Sequence, residues 1–107
     1  MKESDIQRAV FDNIKRRGAP NVFAFAIPNN RESRRTVGFK PGMQDVGIVK
    51  DGIFYGLELK VEKGAASVDQ LVCRDGVNNA GGYACICHGL DRALATLETW
   101  GILRKAA

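Results

Sequence analysis

Asp45, Glu58 and Lys60 flank a stretch, VGIV-KDG-IFYGL, that folds most simply as a β-hairpin. Asp51-Gly52 suits a two-residue type I′ loop, in which both central residues need positive φ. With that loop Lys50 faces Ile53, and the pairs run outward as Val49–Phe54, Ile48–Tyr55, Gly47–Gly56 and Val46–Leu57. The next pair is Asp45 with Glu58. Opposed residues have Cβ atoms about 4.5–5.5 Å apart, and like charges there destabilise a sheet. A divalent cation turns that repulsion into chelation, because hard cations take oxygen ligands. The two-residue period of a strand puts Lys60 on the same face as Glu58. Two acids and an amine at one spot suit phosphodiester hydrolysis by water, with Lys60 near the developing charge. The same spacing also fits a strand end whose charges are simply solvated.

The elements that must position these groups follow in order. Ser4 and Gln7 fit a capping box ahead of an apolar stripe, Ile6, Val10 and Ile14, in a first helix that Gly18-Ala19-Pro20 ends. Glu3 precedes Ile6 by three residues, which points it along the inward face; an acid there also suits the positive end of a helix. Asn21–Ile27 reads as a Phe-rich strand between Pro20 and Pro28, with Phe23 and Phe25 as core. A long polar connection follows, carrying Asn29, Asn30, Arg31, Arg34, Arg35 and Lys40. Guanidinium and amide groups there suit phosphate oxygens; a solvated loop is the competing reading. Around Glu32–Val37 the sequence leaves helix and coil both open. After the hairpin, Ser67 and Gln70 form a second capping box for a helix with Leu71, Val72 and Cys73 on its apolar side. Tyr83–Cys87 reads as a strand apolar on both faces, interior to the sheet. Leu90, Leu94 and Leu97 mark a last helix, Leu90 to Trp100, stopped by Gly101. Cys85, Cys87 and His88 do not make a zinc site, since consecutive strand residues cannot wrap a tetrahedral ion. The order predicts an α/β domain with a small mixed sheet flanked by helices.

Length and charge bound the function. The 107 residues suit a single domain with one modest core. No apolar run approaches the ~20 residues of a membrane span, and no signal-like segment opens the chain. Three cysteines without a secretory signal suit free thiols in a cytoplasmic setting. Residues 1–40 hold nine basic against four acidic residues, while residues 41–107 hold seven against eight. A basic region upstream of an acidic hairpin suits a polyanion held at one place and processed at another.

PNN-R at Pro28–Arg31, G-x-K-P-G-x-x-D-V at Gly38–Val46, E-L-K at Glu58–Lys60, K-G at Lys63-Gly64 and S-x-x-Q at Ser67–Gln70 occur in one order. This set resembles a stand-alone VRR-NUC domain from Glu3 to about Trp100, within a single domain spanning residues 1–107. That is a branch of the PD-(D/E)XK nuclease superfamily, with a restriction-endonuclease-like core, found in phages and in DNA-repair enzymes. The resemblance implies a Mg²⁺- or Mn²⁺-dependent DNA endonuclease, similar to Holliday-junction resolvases acting as homodimers on branched DNA. It implies Asp45 and Glu58 as metal ligands, joined by the Leu59 carbonyl and by Glu3. Lys60 would orient the attacking water and Gln70 would stand beside the site, while the basic and amide groups of Asn29, Asn30, Arg31, Arg34, Arg35 and Lys40 suit the DNA backbone. Gln44 departs from the pattern, which has proline before the aspartate. The alternatives are a non-catalytic DNA-binding module on this fold and a small RNA-binding α/β domain, which would want exposed aromatic residues on a strand.

Overall fold

The computed structural model describes residues 1–29 and 32–105. Its elements run α1 (Glu3–Arg17), β1 (Phe23–Ala26), a 3-10 turn (Ser33–Arg35), β2 (Val46–Lys50), β3 (Ile53–Lys60), α2 (Val68–Asn79), β4 (Tyr83–His88) and α3 (Leu90–Thr99). The strands make one sheet in the order β1-β2-β3-β4, antiparallel at the first two junctions and parallel at the last. It is the mixed α/β fold that the order of elements predicts. The parallel step requires a crossover, and α2 supplies it.

The hairpin forms in the predicted register, from Lys50 with Ile53 to Val46 with Leu57. Both loop residues take positive φ, 53° at Asp51 and 77° at Gly52. Pairing then divides the side chains between two faces. Val46, Ile48, Tyr55, Leu57, Leu59 and Cys87 join Ile6 and Val10 of α1 and Ala93 and Leu97 of α3 in the core. The opposite face carries Gly47, Gly56, Glu58 and Lys60, and α2 packs over its β3–β4 side. The chain ends are fastened together where Arg17 of α1 pairs with Glu98 of α3 at 2.6 Å and donates to the carbonyl of Arg104.

Four sequence expectations are corrected. α1 starts at Glu3 with Lys2 as its cap residue, and the Asp5 carboxylate accepts from the Lys2 backbone N–H at 3.0 Å. Ser4 and Gln7 are therefore inside the helix and form no box; the charged acceptor wins the position. Phe23 is 69% exposed and lies outside the core, because β1 is an edge strand and α2 leaves that side of the sheet uncovered. Phe25 is half-buried, its ring lying where a Cβ at Gly47 would stand. β4 is the other edge strand, not an interior one; its two apolar faces answer to α2 on one side and α3 on the other. The apolar side of α2 is also not core, since Val68, Leu71 and Val72 are exposed and no α2 residue is buried.

Candidate active site at the hairpin end

The β2–β3 ladder stops at Val46–Leu57, and Asp45 lies one residue beyond it. In place of a further backbone pair, the Asp45 side chain closes the edge: its Oδ2 accepts from the Leu59 backbone N–H at 2.8 Å. That bond fixes the carboxylate beside β3, next to Glu58. In an extended strand a residue's C=O and N–H point to the same edge, so the Leu59 carbonyl also faces the Asp45 side.

Glu58 is 3% exposed. Gln70 Nε2 donates to its Oε2 at 3.1 Å, and Lys60 Nζ stands 4.0 Å from the same oxygen. Oε1 has no partner. Burial, then the negative charge of Asp45 beside it, push the Glu58 carboxyl up to about 8, against a lowering pull from Lys60. Two acids are thus held together where only one can readily be ionised.

Gln70 serves the helix and the site at once. Its backbone N–H donates to Ser67 Oγ at 3.2 Å while its Oε1 accepts from the Ser67 N–H at 2.9 Å, completing the predicted capping box. The remaining amide nitrogen is the one that reaches Glu58. The two readings of Gln70, as cap and as site residue, describe one side chain.

The donor set suits a hard divalent cation: two crowded carboxylates, one with an unpartnered buried oxygen, and a carbonyl on the same edge. Among the described residues, no three His, Cys, Asp or Glu side chains form a metal-holding group, so Glu3 is not gathered with Asp45 and Glu58. Glu3 is exposed at the start of α1 and acts on Glu58 only as the least of the charges raising it. Asn29, Arg34, Arg35 and Lys40 are exposed on the connection that leads into Asp45, Arg34 and Arg35 within its 3-10 turn. Asn30 and Arg31 lie outside the described residues.

Two neighbours of the site escape sequence reasoning. Gln44, noted only as a departure, is 1% exposed, and its amide lies against Gly56 on the Glu58 face. A glycine inside a strand is the one available signal, since it marks close approach by another group. His88, in register with Lys60 on β4, makes a 3.3 Å contact through Nδ1 with the Val61 carbonyl.

Among solved structures, one described as a VRR_NUC domain protein superposes on this chain with a TM-score of 0.74, covering 92% of this chain and 86% of that one. The chain has that protein's fold. At 19% identity the likeness is one of architecture. No protein-family model and no curated protein matches the chain. No helix among the described residues is long and apolar enough to cross a membrane.

Proposed function

We propose that this chain is a VRR-NUC nuclease domain, a Mg²⁺- or Mn²⁺-dependent DNA endonuclease that selects branched substrates. The observation that carries the reading is the pair of half-buried Asp45 and buried Glu58, in which one carboxyl is forced toward its neutral form and keeps an oxygen unpartnered among the described residues. Such a pair is costly as it stands and becomes favourable around a cation. Asp45, Glu58 and the Leu59 carbonyl would hold the ion. When bound, it supplies Lewis-acid polarisation of the phosphate and activation of the attacking water.

The chain's own residues do the rest. The Leu59 N–H and Gln70 Nε2 hold the two carboxylates in place. Lys60, partly buried beside Glu58, offers a fixed positive charge to the oxygens that become more negative in the transition state. Arg34, Arg35 and Lys40, with Asn29, hold the DNA backbone on the connection that feeds Asp45. The exposed apolar side chains of α2 offer a surface for a second copy, which would present two sites to two strands of a branched duplex.

The test is a panel of labelled junction, flap, duplex and single-stranded DNAs incubated with and without Mg²⁺, alongside sedimentation of the free protein. Metal-dependent cutting strongest on junctions, by a dimer, is the expected outcome. Binding without cutting in either metal would identify a DNA-binding module instead.

A further inference from the structure

Among the described residues, three buried polar atoms on the Glu58 face have no hydrogen-bond partner: Nε2 and Oε1 of Gln44 and Oε1 of Glu58. Buried amides and carboxylates are normally satisfied, and orphans of this kind are where an ordered water belongs. The packing around the amide is specific. A Cβ at Gly56 would stand 2.4 Å from Gln44 Oε1, so only glycine leaves room for this side chain. Gly56 precedes Glu58 by two residues and shares its face of β3, so the Gln44 amide lies on the face that carries Glu58, against its neighbour on that face. Gln44 is also the residue immediately before Asp45. It is therefore tied by the chain to one carboxylate and by packing to the strand of the other.

We infer that Gln44 is a positioning residue for the cation site: one buried water, bridging its amide and Oε1 of Glu58, holds that carboxylate toward Asp45. An amide suits the task because it offers both a donor and an acceptor to the water. The inference rests on the proposed metal site and adds a residue that touches neither cation nor DNA. Outer partners of this kind orient ligands and set metal affinity, and their loss typically weakens it about 10- to 100-fold.

The experiment measures Mn²⁺ affinity by the paramagnetic resonance of the free ion, with thermal melting in chelator, for wild type, Gln44→Met and Gly56→Ala. Methionine keeps the volume and removes the orphan amide, so melting should be unchanged or raised while Mn²⁺ binding weakens about tenfold or more. Gly56→Ala retains Gln44 but displaces its amide, and should weaken Mn²⁺ binding in the same way; it carries the test if Gln44→Met does not fold. Wild-type Mn²⁺ affinity in a folded variant, with or without lost stability, overturns the inference and leaves the metal site standing. A wild type that binds no Mn²⁺ overturns both.

Discussion

Replacing Glu58 with glutamine should make the metal-free protein more stable at alkaline pH while ending its activity. The Glu58 carboxyl is raised from the ordinary 4.5 to about 8, so the folded chain holds this proton more tightly than the unfolded chain does. Between those values folding takes up a proton, and stability must fall as pH rises. The contribution is complete below pH 4.5 and lost above about pH 8. At about 1.4 kcal/mol per pH unit across that interval the loss reaches a ceiling of about 5 kcal/mol. Against a domain stability of roughly 5–15 kcal/mol that is a large share. Glutamine has no such proton, and its amide oxygen can still accept from Gln70. Urea unfolding in chelator at pH 5, 7 and 8.5 gives the difference between the two proteins, in which every other titrating group cancels. That difference should move in favour of Glu58→Gln by several kcal/mol from pH 5 to 8.5. Mg²⁺ at pH 8 should restore wild type and leave the variant unmoved. A difference that stays constant with pH would show that Glu58 is not a strained buried acid, and the reasoning from it would fail.

Asp45→Asn should abolish cleavage and leave DNA binding within a few-fold of wild type; metal-dependent cutting retained by this variant would remove Asp45 from the site. Lys60→Ala should slow turnover about 10²- to 10³-fold with Mn²⁺ affinity little changed, as expected of a group acting on the transition state; parallel losses in both would mark it as structural. The pair Arg34→Ala/Arg35→Ala should weaken binding to all DNAs alike and flatten its log–log salt dependence by about 0.9 for each duplex phosphate that is no longer neutralised. Titrations over several salt concentrations that superpose on wild type would take this turn off the binding surface.

The hairpin was legible because one dipeptide sets its register: once Asp51-Gly52 takes the loop, every pair to Val46–Leu57 follows by counting. Gln70 was legible as a cap through its spacing to Ser67, and the resemblance names the same residue, which donates to Glu58. Phe23 was not, because apolar patterning cannot say which strand lies at an edge or how far a helix reaches across the sheet. β4 misled for the reverse reason: an edge strand covered on both faces has the composition of an interior one. Two acceptors compete to start α1, and sequence spacing does not rank Ser4 against Asp5. Gln44 looks like a solvated neighbour of Asp45 until Gly56 is seen to open space for it.

The double use of Gln70 makes the site intolerant of an exchange that helices accept freely. Glutamate and glutamine are interchangeable in the third position of a capping box, because both offer the oxygen that accepts from the cap residue. Here the amide nitrogen is committed to Glu58, and a carboxylate in its place would bring a further negative charge to a pair in which only one acid can readily be ionised. Gln70→Glu should therefore leave α2 as helical as before by circular dichroism while expelling Glu58 from its present seat. Conversely, whatever frays the first turn of α2 also releases Glu58. Amide exchange at Gln70 and Leu71 should slow when Mg²⁺ is added, reporting occupancy of the site from the start of a helix that carries none of its acids.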